Sequence, residues 1–232
     1  MKIAVISDIH GNYDALNSVL IKAKKEGVEH LLVLGDIVGY YYHPDKILDA
    51  LSAWNFDLIK GNHEHILEDL IKDNSLFESI RLKYGSGHKV ALDKLTEKQL
   101  KFLRDLPETK SLQFNQTSLL MCHGSPWSFD YYIYPDADNE TLLKCDSTEH
   151  DFVLIGHSHY QFAVKNKNSI LINPGSVGQS RQTGGKAFWC IIDTKNKCFQ
   201  MLSTDYDVKN LIMEINKKDK DIKYLSEILV RN

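Results

Sequence analysis

Lys2-Ile3-Ala4-Val5-Ile6-Ser7-Asp8-Ile9-His10-Gly11-Asn12 begins as an apolar run and ends in an aspartate, a histidine and a glycine. A short apolar run broken by such residues reads as a buried strand, here Lys2–Ser7. Tyr13–Lys25 then places Ala15, Leu16, Val19, Leu20 and Ala23 at helical spacing. His30–Leu34 is a second apolar run, Ile47–Trp54 a second helical pattern, and Phe56–Ile59 a third strand. Strand–helix–strand repetition with short connections predicts right-handed βαβ units and a parallel sheet covered by helices.

Outward from that start the texture changes. Glu64–Leu106 reads as mostly helical with a break at Tyr84–Gly87, and Pro107 ends it because proline has no N–H to give. Beyond Lys110 the pattern predicts short strands at Ser111–Phe114, Ser118–Met121, Phe152–Ile155, Gln161–Val164 and Ile170–Ile172. Ala187–Asp193 and Lys197–Ser203, joined by Thr194-Lys195-Asn196, read as an antiparallel hairpin. Asp207–Asn216 and Asp221–Leu229 read as closing helices. No repeat, low-complexity tract or long linker divides the chain. One domain over residues 1–232 is expected, with its chemistry inside about 1–204 and helices closing it over 205–232.

The chain has 232 residues, 43% hydrophobic and 25% charged, which suffices for one well-buried core. No run reaches the ~18 apolar residues of a membrane span. The N-terminus lacks the apolar stretch of about 7–15 residues that a signal peptide needs. A cytoplasmic protein is therefore expected, with no membrane partner. Cys122, Cys145, Cys190 and Cys198 show no CxxC spacing and read as reduced thiols. With 28 basic against 31 acidic residues and no basic tract, bulk nucleic-acid binding is not expected. A small anionic substrate stays open, because bound metal would supply positive charge locally; a homo-oligomer is compatible with this composition.

Metal-ligating side chains gather where strands end. Asp8 and His10 follow the first strand, Asp36 the second in Gly35-Asp36-Ile37-Val38-Gly39, and Asn62 and His63 the third in Gly61-Asn62-His63-Glu64. His123 follows a later strand in Cys122-His123-Gly124, and His157 and His159 another in Gly156-His157-Ser158-His159. In an open α/β sheet the crevice beyond the carboxyl ends of the strands is the usual binding site. Residues two apart on an extended segment share a side, so Asp8 and His10, or His157 and His159, are expected to address one small volume. Flanking glycines let backbone crowd there without a Cβ. Singly, each of these residues reads as a turn former or a hydrogen-bonded histidine. Together, two aspartates, one asparagine and four histidines outnumber the ligands of one tetrahedral zinc and suit two ions sharing a carboxylate. Carboxylate, carboxamide and imidazole without thiolate favour manganese, iron, nickel or zinc over calcium. Cys122 reads as a small buried side chain.

Asp8-x-His10, Gly35-Asp36, Gly61-Asn62-His63-Glu64, His123-Gly124 and Gly156-His157-x-His159, in this order, resemble the calcineurin-like metallophosphoesterase superfamily. Ser7-Asp8-Ile9-His10-Gly11-Asn12 and Asn173-Pro174-Gly175-Ser176-Val177-Gly178 are similar to its small bacterial single-domain phosphodiesterases. The resemblance implies an α/β fold of four layers, αββα, with two mixed sheets flanked by helices. It implies that Asp8, His10 and His159 hold one metal, that Asn62, His123 and His157 hold a second, and that Asp36 bridges them. It implies two divalent ions, manganese first, about 3.5–4 Å apart, and a bridging hydroxide that attacks phosphorus in line. It places His63 at the leaving group as general acid or transition-state donor. Arg181 is a candidate phosphate clamp.

Two departures bear on substrate. Phosphoprotein phosphatases of the superfamily continue after Gly-Asp with an Asp-Arg-Gly segment, and Gly39-Tyr40-Tyr41 stands there instead. The carboxylate that would orient His63 and an arginine for phosphate are thus missing at those positions. Tyr41-Tyr42-His43-Pro44-Asp45 also departs from the Gly-Pro-Asp-like segment of the small bacterial relatives. Tyr40-Tyr41-Tyr42 and Tyr131-Tyr132-x-Tyr134 follow the Asp36 and His123 segments, so Tyr40 and Tyr131 are candidates to stack on a nucleobase or aryl group; packing at a domain edge is the other reading. His30, His43, His65, His88 and His150 lie outside every motif and are expected to have no role. A phosphodiesterase acting on small or nucleotide-like esters is the leading expectation. A phosphomonoesterase or protein phosphatase and a metal-bound interaction scaffold are the alternatives.

Overall fold

β1 (Lys2–Ile6) is buried on both faces, and its alternation separates two cores. Ala4 and Ile6 join a cluster with Leu16, Val19 and Leu20 of α1 (Tyr13–Lys25). Ile3 and Val5 point the other way, into a cluster with Leu119, Met121, Phe152 and Leu154. A strand that is apolar on both faces must be covered on both, which forces at least three layers. The computed structural model describes residues 1–232.

The first sheet runs β10-β9-β1-β2-β3, with β2 (His30–Val33), β3 (Phe56–Leu58), β9 (Lys186–Asp193) and β10 (Cys198–Asp205). β1, β2 and β3 are parallel, in register from Ile3 against His30 and Leu31 against Phe56, while β9 and β10 add antiparallel. The second sheet runs β4-β5-β6-β8-β7, with β4 (Thr109–Phe114), β5 (Thr117–Cys122), β6 (Phe152–Leu154), β7 (Gln161–Lys165) and β8 (Ile170–Pro174). β5, β6 and β8 are parallel, and β4 and β7 close the edges antiparallel. Both sheets are mixed and stacked between helices, the four-layer αββα arrangement. The outermost layer on the second sheet is thin: Leu142 of the short α7 (Asn139–Lys144) and Ile133 and Cys145 beside it pack on Val153 and Leu171. All four cysteines are free thiols, and no helix is long and apolar enough to cross a membrane.

The helical stretch after residue 64 is more fragmented than its pattern suggests. α3 (Asn62–Lys72), α4 (Phe77–Tyr84), α5 (Gly87–Lys94) and α6 (Glu97–Arg104) replace two long helices. Beyond the break at Gly85-Ser86, Asp73 ends α3 by turning its carboxylate onto Ser75 N at 2.9 Å. A Thr96–Gln99 capping box restarts the chain as α6. α2 (Pro44–Ser52) starts three residues earlier than expected, because Pro44 sits in its first turn, where a missing N–H costs nothing. The closing segment forms α8 (Lys209–Lys218) and α9 (Tyr224–Glu227), which pack on Tyr40, Tyr41 and Tyr42.

Candidate metal centre

The parallel strands β1, β2, β3, β5 and β6 all end at one edge of the molecule, and the candidate ligands stand just beyond those ends. They do not converge by the alternation of extended segments. Asp8, His10, Asp36, His157 and His159 are not extended; their φ angles are 55°, 51°, 57°, 63° and 62°. This left-handed region costs a non-glycine residue about 1–2 kcal/mol, and such strain collects where function fixes geometry. Surrounding backbone holds it: His10 N donates to Asp36 O at 2.8 Å, and Ser176 Oγ and Gly178 N donate to Asp8 O at 2.8 and 3.0 Å. Glu64 fixes the Asp36 turn, its buried carboxylate accepting from Asp36 N and Ile37 N at 2.8 Å and from Gly61 N at 2.8 Å. Gly61 is required here, since a Cβ would run into Asp36 Oδ1.

The kinks sort the ligands into two groups. Asp8, His10, Asp36 and His159 bring one ligand atom each within 4.8 Å of one another, and so do Asp36, His123 and His157, with all six residues buried. Asp36 belongs to both. His157 and His159 therefore serve different groups rather than one volume. Asn62 joins the second, with Oδ1 3.0 Å from His123 Nε2.

Proton positions follow from the carbonyls around the rings. His10 Nδ1 faces Val38 O at 3.1 Å, His159 Nδ1 faces Gln179 O at 2.7 Å and His123 Nδ1 faces Leu34 O at 2.6 Å. A carbonyl can only accept, so each Nδ1 carries a proton and each ring turns its Nε2 inward, where it offers a lone pair once free of a proton. His157 is reversed: Nε2 faces Asp130 O at 3.0 Å, leaving Nδ1 as its lone pair. The inward ring nitrogens meet each other and the carboxylates. His10 Nε2 lies 3.1 Å from His159 Nε2, and His123 Nε2 lies 3.3 Å from Asp36 Oδ2. Asp8 Oδ1 and Asp36 Oδ2 are buried with no hydrogen-bond donor. Acceptors facing acceptors out of water repel unless a cation sits among them. The donor set fits two metal ions, each histidine oriented by a backbone carbonyl behind it.

Electrostatics of the bare protein agree. Burial pushes the His10 and His157 pKa values down to about 3 and about 4. Burial also opposes charge on His123, but Asp36 and Asp8 overcome it and lift its pKa to about 10, so in the bare protein a proton holds its Nε2 where a cation would displace it. Burial works against the Asp36 carboxylate, yet His123 and His63 hold its pKa well below the ordinary value. The two carboxylates hold the cavity negative, as a cation site requires.

His63 stands beside the first group, its ring centroid 4.7 Å from that of His10. Its backbone N donates to Asp36 Oδ1 at 2.9 Å. In place of the missing carboxylate, His88 from α5 sets His63: its Nε2 lies 3.2 Å from His63 Nδ1, with the rings 7° from parallel. Sequence reasoning gave His88 no role. No motif surrounds it, and the sole hint was the unexplained departure at Gly39-Tyr40, where a Cβ on Gly39 would strike His63.

The two tyrosine runs part company. Tyr40 is 5% exposed, with its ring on His10 and His63 at 4.6 and 5.0 Å, so it lines the wall and presents no open face to a base. Tyr131 is 43% exposed and packs on Trp127 at 5.3 Å rather than on any ligand. Tyr132, next to Tyr131 and not itself a candidate from the sequence, lies over His157 at 3.8 Å. Arg181, half-buried, lies 5.9 Å from the Tyr132 ring.

Comparison with known proteins agrees with this geometry. Residues 1–197 match the family model described as the calcineurin-like phosphoesterase superfamily domain. The chain is 31% identical over 236 residues to an uncharacterized protein of Methanocaldococcus jannaschii, covering 93% of this chain and 92% of that one. Its fold is similar to the crystal structure of a hypothetical protein from Pyrococcus horikoshii OT3, with TM-score 0.82, 22% identity and coverage of 99% and 98% of the two chains. It is also similar to a metallophosphoesterase from Sphaerobacter thermophilus, with TM-score 0.75, 21% identity and coverage of 97% and 99%. With its buried aspartate and histidine clusters and two stacked mixed sheets, the chain belongs to the calcineurin-like phosphoesterase superfamily.

Proposed function

We propose that this chain is a phosphodiesterase acting on small or nucleotide-like esters with two divalent cations. Asp8, His10 and His159 would hold one cation, Asn62, His123 and His157 the other, and Asp36 both. The observation that carries this reading is the meeting of inward imidazole nitrogens with the unpartnered Asp8 Oδ1 and Asp36 Oδ2. When bound, such a pair of ions supplies Lewis acidity at the phosphoryl group and a water nucleophile at neutral pH.

The chain's own residues then orient the ester and handle the leaving oxygen. His63 is kept neutral by burial, and His88 occupies its Nδ1, which leaves Nε2 to donate to the leaving oxygen. Arg181, 5.9 Å from the Tyr132 ring that covers His157, would meet a non-bridging oxygen with its guanidinium. A diester carries one negative charge and a monoester close to two at neutral pH. The absence of the phosphatase-type arginine after Asp36 supports the diester. Manganese is the first choice of metal, with iron, nickel and zinc next, on the mixed oxygen and nitrogen donors. Cys122 takes no part: burial pushes its thiol up to about 12.

The test is a metal-stripped protein reloaded with manganese, nickel, zinc or magnesium, assayed on bis(p-nitrophenyl) phosphate and p-nitrophenyl phosphate. Manganese is expected to restore diester turnover, with kcat/KM exceeding that for the monoester by at least about tenfold, a barrier difference of about 1.4 kcal/mol. The reverse order would make it a monoesterase. Tight metal binding without turnover of either ester would leave a scaffold.

A further inference from the structure

The loop between His123 and α7 carries four large exposed side chains, Trp127, Tyr131, Tyr132 and Tyr134, each at least 37% exposed. Exposed rings of this size lose apolar contact with nothing gained in folding, so their presence beside a buried centre asks for a ligand. The loop is tied to that centre at its root, where Asp130 O accepts from His157 Nε2 at 3.0 Å. From His157 the rings lead outward in steps. Tyr132 lies over the imidazole at 3.8 Å, Tyr134 is parallel to Tyr132 within 7° at 5.8 Å, and Tyr160 meets Tyr134 edge-on at 5.9 Å. Tyr160 directly follows His159, so both ends of this aromatic path grow from ligand-bearing segments. Tyr134, Pro135, Asp136 and Tyr160 line an open groove of about 430 Å³, inside the range of about 300–1,000 Å³ typical of small-molecule sites.

We propose that this groove binds the nucleobase of a nucleotide ester whose phosphorus lies at the metal centre, an inference that rests on the phosphodiesterase reading. The chemistry of the groove is that of a base subsite. Tyrosine faces stack on any base and tolerate its sequence identity. Asp136, an acceptor on the groove wall, suits the exocyclic amino group of adenine, cytosine or guanine. Arg181 lies 5.9 Å from the ring of Tyr132, the step of the path between His157 and Tyr134, and its guanidinium would meet the phosphate or sugar oxygens. Tyr40-Tyr41-Tyr42 cannot compete for the role, because those rings are already covered by the closing helices.

The experiment compares two diesters with the same leaving group, the p-nitrophenyl ester of adenosine 5′-monophosphate and methyl p-nitrophenyl phosphate, on the manganese-loaded protein. Wild type is expected to prefer the nucleoside ester in kcat/KM. Tyr134→Ala and Tyr160→Ala should each lower that preference about tenfold, the size of one base–aromatic stack, with methyl p-nitrophenyl phosphate turnover unchanged. Tyr134→Phe and Tyr160→Phe, which keep the ring, should retain the preference. Equal turnover of the two esters by wild type, or equal losses on both in the alanine variants, overturns the subsite. A binding arm separates this from failure of the catalytic reading. If neither ester is turned over, calorimetry with adenosine 5′-monophosphate against ribose 5-phosphate still decides. Tighter binding of the nucleotide, lost in Tyr134→Ala, upholds the groove; equal affinities remove it.

Discussion

Two stretches of this chain look alike on paper: Tyr40-Tyr41-Tyr42 follows one ligand-bearing turn, and Tyr131-Tyr132-x-Tyr134 follows another. In the folded protein they have opposite fates. Tyr41 and Tyr42 are fully buried, capped by α8 and α9, while Tyr131 and Tyr132 are each 43% exposed. The tyrosines themselves do not decide this. A helical segment more than 160 residues downstream covers the first run, and the second lies on the side where only the short α7 completes the outer layer. Tyrosine's apolar ring and polar tip serve either setting. Its partner decides which.

The sharpest way to break that contrast is to delete a ring from the buried run. Tyr41 is fully buried and donates its hydroxyl to Leu225 O at 3.0 Å. Tyr41→Ala is expected to cost about 3–5 kcal/mol, the range for large aromatic deletions in a core. For a chain of this length that lowers Tm by roughly 10 °C, readable by calorimetry. A loss under about 1 kcal/mol would mean that the closing helices are held by something other than this run.

A smaller effect is expected at the polar tip next door. Tyr42 donates to Asp219 Oδ2 at 2.7 Å, and the same buried carboxylate accepts from Ser86 Oγ at 2.6 Å and Ser86 N at 2.9 Å. Through Asp219 the closing segment clamps the turn that launches α5. Tyr42→Phe keeps the ring and removes one charge-assisted bond, which should cost about 1.5–3 kcal/mol by denaturant unfolding. A neutral result would show that Ser86 and Arg81, the latter 3.9 Å away, satisfy the carboxylate without Tyr42.

The buried run also reaches the chemistry, through His63. Tyr40 leans on His63, and Tyr84 packs edge-on against both Tyr40 and His63, so the wall holds the ring that His88 sets. His88→Ala should lower kcat about 10–100-fold, the size of losing a residue that orients an active group, with KM and metal content little changed. His88→Gln should recover part of it, because the Gln amide can stand near Nε2. A KM effect, or no rescue by glutamine, would assign His88 to packing alone.

These outcomes also mark where sequence reading ends. The strands and the gathering of aspartates and histidines at their ends were legible because each rests on neighbours in sequence, whereas the stacking of two sheets came only with the family resemblance. An apolar run ending in Asp-x-His, or His-x-His after glycine, states its meaning locally. The left-handed kinks that split His157 from His159 were not legible, since two residues in either conformation share one spelling. His88 was missed for a related reason. It acts through His63, 25 residues away, from inside a helix that begins at a turn fixed by Asp219. Tyr40 stood between stacking and packing in the sequence because its covering helices come from the far end of the chain. Long-range partners set these roles, and no short window contains them.

The smallest expected effect tests the exposed run at its outer edge. Tyr131 was a candidate beside Tyr132, yet it packs on Trp127, itself 44% exposed, and reaches neither His157 nor the groove of Tyr134 and Tyr160. Removing a ring with so little buried area should change stability within about 0.5 kcal/mol. Tyr131→Ala should also leave kcat/KM for nucleoside and methyl esters unchanged, in contrast to Tyr134→Ala. Steady-state kinetics on both esters checks this. If Tyr131→Ala instead abolished the nucleoside preference, the loop would act as one flexible lid of rings, and the division between a path of Tyr132, Tyr134 and Tyr160 and an idle Tyr131 would be lost.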